Sequence, residues 1–400
     1  MALTKVTSGM RTLATDEVLT ANINDDAVTT AKVLDDAVTT AKVLDDAVTA
    51  AKLADSAYLA NRNIFINGAC QVNQRGNSTG QTGSAYHSVD RFYTAISSIG
   101  TYSFSQESDG PDGFANSWKI DCTTADASPA AGDLLVLQCK FEGQDLQQLK
   151  KGTASAESLT LSFWVKSYQT GNYQVNLIDN DNSRVIGTTF TISSSATWEY
   201  KTVTFAGDTT GALGDDANTS LYIEWWFDSG TDFSSGAVPT SWEALANTDR
   251  NAGGTIRMAN STSNYCQLTG IQLELGTVAT PFEHKTFADE LRACQRYFEK
   301  QVSGSAYGEF GNGYAESASQ SYINVKFAVE KRANPSYVGA ALRVVNQGAA
   351  MIVTSDNVDQ GGTQMTKLSL TGSGGLTTAR ATMCSANNNA TANMQWDAEL

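Results

Sequence analysis

Leu159-Thr160-Leu161-Ser162-Phe163-Trp164-Val165-Lys166 alternates apolar and other side chains without a break. Successive side chains on a strand point to opposite faces, so Leu159, Leu161, Phe163 and Val165 share one face. Segments of similar kind surround it: Tyr173–Ile178, Glu199–Phe205, Ser220–Phe227, Thr255–Met258 and Cys266–Leu275 also read as strands. The stretch from Gly207 to Asn218 between them is polar and glycine-rich, as a loop should be. Many strands at this spacing, with almost no helix, predict a jelly-roll-like antiparallel β-sandwich over residues 59–283.

One helix is expected after it. Pro281 and Phe282 lead into Thr286, and Asp289 follows three residues later in the manner of a capping box. Phe287, Leu291, Cys294 and Phe298 recur at spacings of three and four, which makes an apolar face. Arg292, Arg296 and Lys300 lie toward the C-terminal end, where the helix dipole favours cations. This connecting helix is placed at 284–301. Residues 302–400 then read as a small C-terminal β-sandwich, with strands at Tyr322–Phe327, Ala341–Val345, Ala350–Thr354 and Thr366–Leu370. Turns are marked by Asn334-Pro335, Gly361-Gly362 and Gly372-Ser373-Gly374-Gly375, and Asn387–Asn389 reads as a loop tip.

Composition agrees with a mostly β protein of two to four domains. The 400 residues include 33 Gly and 5 Pro, and 41% are apolar, too many for disorder. The formal net charge of −15 argues against nucleic acid and against an anionic bilayer as partners. No run of about 20 apolar residues occurs, so no membrane insertion is expected. Met1-Ala2-Leu3-Thr4-Lys5 does not open a secretory signal, which implies synthesis in a cytoplasm. Cys70, Cys122, Cys139, Cys266, Cys294 and Cys384 are scattered, and buried free thiols are the expected state. His87 and His284 have no ligand at zinc-site spacing.

The N-terminal segment is a repeat. Residues 25–34 and 35–44 both read DDAVTTAKVL, and 45–54 reads DDAVTAAKLA. Val18, Ile23, Val28, Val33, Val38, Val43, Val48 and Leu53 fall on a comb of period five, which Leu13 extends backward. Five is not a heptad spacing, so this is no ordinary coiled coil. A single chain with one small apolar residue every five positions buries no core. Several copies around a shared axis do, and residues 1–58 are therefore expected to form a homotrimeric stalk. Asp25, Asp26, Asp35, Asp36, Asp45 and Asp46 alternate with Lys32, Lys42 and Lys52 and would set register between chains. The alternative is a solvated linker.

Residues 61–76, NRNIFINGACQVNQRG, together with Asp90-Arg91-Phe92, resemble the start of sandwich domains in bacteriophage tail-fibre proteins. Phe92 stands where Trp is more usual. Residues 270–300, GIQLELGTVATPFEHKTFADELRACQRYFEK, resemble the end of the same domain, and Trp396-Asp397-Ala398-Glu399-Leu400 resembles their C-terminal ending. The stalk decads resemble repeats found ahead of such domains. The resemblance implies a virion fibre or other external appendage, assembled in the host cytoplasm, that docks to other virion structural proteins through its N-terminus. It also implies a domain similar in shape to jelly-roll carbohydrate-binding modules.

No catalytic constellation is visible: no G-x-S-x-G elbow, no HExxH and no phosphate-binding loop. The chain is read as a non-enzyme that needs no cofactor. Sugar rings stack on aromatic rings, which singles out Trp225, Trp226 and Trp242 as candidate ligand-binding residues. Trp225 and Trp226 are adjacent in a strand and so face opposite ways; packing is the competing reading for each. Asp179-Asn180-Asp181-Asn182 is an oxygen-rich turn, so Asp179 and Asp181 are candidates for Ca²⁺, against a plain hydrophilic hairpin tip. Three functions remain open: an adhesin for host cell-surface polysaccharide, a purely architectural fibre or capsid decoration, and a glycan-degrading spike with paired carboxylates.

Overall fold

The computed structural model describes residues 61–400. The expected stalk residues Val18, Ile23, Val28, Val33, Val38, Val43, Val48 and Leu53 lie outside the described residues, and the division of the chain falls after Ala57.

The sandwich is present. One sheet has six strands in the order Ser78–Gln81, Thr101–Glu107, Ser117–Thr124, Tyr265–Leu275, Leu159–Ser167, Glu199–Phe205. The other has seven: Glu243–Ala244, Arg184–Ile192, Gly171–Asp179, Thr219–Ser229, Leu134–Glu142, Tyr93–Ser97, Ala85–Tyr86. All pairings are antiparallel. The alternation in Leu159–Val165 does what it predicts: Leu159, Leu161, Phe163 and Val165 are buried between the sheets, while Trp164 lies on the opposite face. Trp118, Trp225 and Phe227 meet them from other strands, with Phe163 and Trp225 edge to face at 5.9 Å. Thr255–Met258 is not a strand. It runs irregularly into a single turn at Met258–Asn260, because its backbone bonds go to Asn172 and to the Gln169 side chain rather than to a sheet partner. Ile256 and Met258 still alternate into the core, and that alternation imitates a strand.

The helix forms at Phe287–Gln295, shorter than expected, and Thr286 accepts a hydrogen bond from the Asp289 backbone N–H. Cys294 is buried, whereas Phe287 is exposed and Phe298 already belongs to the next strand. The C-terminal strands, expected as a small sandwich, close instead into a barrel: Glu309–Ser317, Gln320–Lys326, Met365–Gly372, Ala349–Gln360, Leu342–Asn346, Ala381–Ala386. Beside it stands a three-stranded sheet of Phe298–Val302, Asn393–Asp397 and Ser336–Ala340. Closure removes the sheet edges that an open sandwich of this size would expose.

The residues that carry the tail-fibre resemblance have a common task. Gly68 has no room for a side chain, since a Cβ would lie 2.0 Å from the Ile271 carbonyl oxygen. The Asn67 side chain bonds the backbone of Val72 and Asp90, and its N–H donates to Glu290 of the helix at 2.6 Å. Gln74 bridges Asp90 to the Phe298 carbonyl. Arg75 lies 3.1 Å from Asp397 and 3.3 Å from Glu399, with its guanidinium 3.6 Å over the Phe298 ring. Arg91 pairs with Glu399, donates to the Lys140 carbonyl at 2.8 Å and stacks on Tyr297. The two ends of the resemblance are therefore one buried contact that fastens the C-terminal strands to the sandwich. All six cysteines are buried free thiols, as expected.

Removing one partner of a buried ion pair leaves the other charge stranded, at about 3–5 kcal/mol. Arg91→Ala is expected to lower stability by about that amount in urea denaturation; a loss below ~1 kcal/mol would show the clamp to be incidental. A second expectation concerns pH. Burial pushes the Asp90 carboxyl up to about 7, against the pull of Arg75 and Gln74, from 3.8 in an ordinary setting. Between those values the folded state keeps a proton that the unfolded chain has released. This contribution to stability is complete below pH 3.8 and lost as pH rises through about 7. The urea midpoint of the wild type should fall relative to that of Asp90→Asn as pH is raised from about 4 to 8, and parallel curves would contradict the assignment.

Candidate functional site

The two outer faces of the sandwich differ. On the seven-stranded sheet the outer face is roofed by residues 230–254. Phe233 covers Trp226 at 5.3 Å between ring centroids. Arg250 pairs with the buried Glu224, and Gln174 and Asn176 bond the carbonyls of Asp249 and Arg250. On the six-stranded sheet the central outer residues Thr160, Ser162, Thr269, Gln272 and Glu274 are also buried, with Gln272 and Glu274 bonded to residues 280–283 and Thr269 to the Asn116 carbonyl, which leaves this face open only from Trp164 toward Tyr200 and Tyr168.

That open face carries aromatic rings. Trp164 and Tyr200 are cross-strand partners with centroids 5.2 Å apart, and Tyr200 is 45% exposed. Across the neighbouring strand lies Gly270 at φ +59°, inside the register shift between Thr269 and Gln272. A Cβ there would stand 2.7 Å from the Phe114 ring and 3.0 Å from Trp164. The bulge and its glycine therefore make room for Phe114 beside Trp164 on the sheet. Phe114 in turn contacts Phe282 and His284, at 4.9 and 5.2 Å. Partial burial holds His284 below its usual value, which favours the neutral ring.

Along Leu159–Ser167 and just beyond it, Trp164, Lys166 and Tyr168 follow one another on the same face. Lys166 pairs with Asp109 and lies 5.2 Å over the Trp198 ring. Trp198 Nε1 donates to Asp109 at 3.4 Å. Tyr168 is 47% exposed and lies 6.3 Å from Tyr265, which Lys119 caps at 5.0 Å. Four residues of strand separate Trp164 from Tyr168, roughly 13 Å. The face thus offers an aromatic path with one cation and one carboxylate in its middle. At the Tyr168 end it opens into a groove of about 450 Å³ lined by Gln169, Thr255, Arg257, Asn260 and Asn264.

The tryptophans singled out from sequence lie elsewhere. Trp225 and Trp226 do face opposite ways, but both are buried: Trp225 in the main core, Trp226 beneath Phe233 with Val136. Buried rings present no face to a sugar, so here they act as packing. Trp242 is half-buried, donates to the Ala206 carbonyl at 2.6 Å and closes a cavity of about 10 Å³. That volume is far below the ~300–1,000 Å³ of small-ligand sites. The Ca²⁺ turn is also accounted for. Asp179 is fully buried against the Lys151 ammonium at 2.5 Å and accepts from Asn182, so a cation already neutralises it. Asp181 accepts from the Gly214 N–H at 2.8 Å. Among the described residues no three His, Cys, Asp or Glu side chains converge as metal ligands. The rings that do line the open face, Trp164 and Tyr200, occupy polar positions of strands the sequence reading had found. A large aromatic at a solvent-facing register position was the available signal. Phe114 gave none, because a loop brings it to the sheet.

The chain matches no protein-family model and no curated protein sequence. Among solved structures it is similar to the enzymatically active domain of tailspike protein 4 of bacteriophage CBA120, at TM-score 0.29 and 10% identity over 54% of this chain and 21% of that one. A putative sugar-binding protein from Bacteroides thetaiotaomicron aligns at TM-score 0.29 and 12% identity, over 54% of this chain and 100% of that one. A family 11 carbohydrate-binding module from Clostridium thermocellum aligns at 0.26 and 10%, over 52% and 98%. Superpositions at this level leave the fold to rest on the chain's own strand order and register.

Core and platform tryptophans should separate cleanly. Trp225→Ala is expected to cost about 3–5 kcal/mol in urea denaturation, and Trp164→Ala, on an open face, about 1 kcal/mol or less. Equal losses would place Trp164 in the core.

Proposed function

We propose that this protein is a subunit of a phage fibre or other external virion appendage, which holds a host cell-surface glycan on the outer face of its six-stranded sheet and does not cleave it. The observation that carries the binding part is the open aromatic path of Phe114, Trp164, Tyr200, Trp198 and Tyr168 on an otherwise polar sheet. Flat rings beside polar groups suit pyranose rings, whose faces are apolar and whose edges carry hydroxyls. Trp164 and Tyr200 are mounted on paired strands, and Phe114, Tyr168 and Trp198 stand on the connections beside them, held by ring and hydrogen-bond contacts, which limits the ordering entropy lost on binding. Hydrolysis by paired carboxylates is disfavoured at this face: Asp109 is held by Lys166, and Glu199 by Lys201 at 2.6 Å. The virion part rests on the tail-fibre resemblance of the clamp residues and of the decad repeat. In a homotrimer built on residues 1–58, three weak sites would act together, raising avidity without new contacts.

The test is binding of the full chain to host-type surface polysaccharides on an array, with its mass measured by light scattering. A trimer that binds glycan saturably and releases no fragments is expected. Trp164→Ala and Tyr200→Ala should each weaken binding about tenfold, near 1.4 kcal/mol, while the urea midpoint stays close to that of the wild type. A trimer that binds no glycan would leave an architectural fibre. Released fragments would make it a spike, and a monomer would remove the stalk argument.

A further inference from the structure

We infer that the groove at the Tyr168 end of the aromatic path takes a sugar bearing a carboxylate, a uronic or ulosonic acid, and that Arg257 is the group that reads its charge. The inference deepens the glycan-binding reading and rests on it.

Arg257 is held in place on every side but one. Its neighbours Ile256 and Met258 are buried in the core, which fixes the backbone. Its N–H donates to the Gln169 side chain at 2.9 Å, and its carbonyl accepts from Gln169 and Asn264 at 3.1 and 3.2 Å. Its Nε lies 2.7 Å from Asp228, whose carboxylate is buried and is also bonded by the backbone N–H groups of Ala259 and Ser229. This anchors the inner edge of the guanidinium. Among the described residues, neither terminal nitrogen has a side-chain or carbonyl acceptor, and the side chain is 46% exposed at the groove. A guanidinium fixed through Nε presents its two remaining nitrogens as a planar fork, the geometry that bonds a carboxylate at both oxygens.

The surroundings suit a sugar acid rather than a bare anion. The groove, about 450 Å³, falls within the ~300–1,000 Å³ of small-ligand sites. The exposed Tyr168 ring lies on one side, with Thr170, Thr255, Asn260 and Ser261 as hydroxyl and amide partners. The amides of Gln169 and Asn264 are spent on the loop itself, which stiffens the groove before anything binds. A net charge of −15 repels an acidic polymer at long range, so recognition has to come from this short bidentate contact and not from the overall field.

The test uses the full chain and an array of glucuronic, galacturonic and sialic acid oligosaccharides, each beside its methyl ester, with neutral and phosphorylated glycans present. At least one free acid is expected to bind about tenfold or more tightly than its ester. Arg257→Gln should bring acid and ester to the same level. Trp164→Ala should weaken acid and ester alike. An ester bound as well as its acid overturns the role of Arg257 and leaves the aromatic path standing. So does a wild type that binds neutral glycans but no acid, or a phosphorylated glycan more tightly than any acid. Binding of no glycan at all overturns both readings. Should Arg257→Gln fail to fold through loss of the Asp228 partner, the acid-to-ester ratio of the wild type decides alone.

Discussion

Two arginines near the start of the sandwich and one glutamate near residue 400 govern how the rest of this chain is held. Arg75 and Arg91 converge on Glu399, with Asp90 and Asp397 alongside and the rings of Phe298 and Tyr297 beneath the guanidinium planes. Buried charges are tolerable only when each is matched, and here the matching partners come from distant parts of the chain. Arg296 on Glu142 repeats the device across the same junction, and Lys331 on Glu299 does so within the C-terminal part. Arg332 adds bonds to the carbonyls of Ala217, Ala398 and Glu399. The three-stranded sheet and the C-terminal segment are thereby fixed to the sandwich by polar contacts whose partners cannot be swapped one at a time. Such contacts close loops of very high sequence separation, so the junction must form late, after the strands on both sides exist.

The sandwich puts its two outer faces to different uses. The seven-stranded sheet spends its outer polar groups on its own chain: Glu224 on Arg250, Gln174 and Asn176 on backbone carbonyls of residues 249 and 250. The six-stranded sheet likewise spends Gln272 and Glu274 on residues 280–283 at its centre, but leaves rings accessible beside Trp164, at Tyr200 and Tyr168. A bulge at Gly270 is what lets a loop residue, Phe114, join strand residues in one surface. The open face is therefore a product of the same backbone irregularity that breaks the register of a central strand.

Much of the fold could be read from the chain. The strand at Leu159–Ser167 and its partner at Glu199–Phe205 appear at the expected places, because a half-buried strand prints a period of two into its sequence. Leu134–Glu142 was legible as well, since Leu137–Glu142 alternates apolar and polar residues, but the unbroken apolar run at 134–137 masks the start of that period. Barrel closure was invisible because it depends on which strand pairs last with which, here Glu309–Ser317 with Ala381–Ala386. The site was less legible than the fold. Trp225 and Trp226 drew attention as a pair, yet large rings in a strand are more often core than platform. Trp164 was in the decisive segment throughout, distinguished only by lying at a solvent-facing position. Arg257 was hidden in a segment mistaken for a strand, and its fixed geometry depends on Asp228, which no spacing rule connects to it.

The burial of every cysteine bears on how the protein ages. Burial in apolar surroundings pushes the Cys70 thiol up to about 12 and that of Cys122 to about 11, and the others are buried as well. The nucleophilic form of cysteine is the thiolate, which is scarce at such values and shielded besides. A disulfide-bearing small molecule in the medium would find no thiolate to attack until the fold opens. Disulfide exchange at these cysteines in an oxidising environment should then follow the rate of unfolding, so that thiol loss is a property of the energy barrier rather than of the surface chemistry.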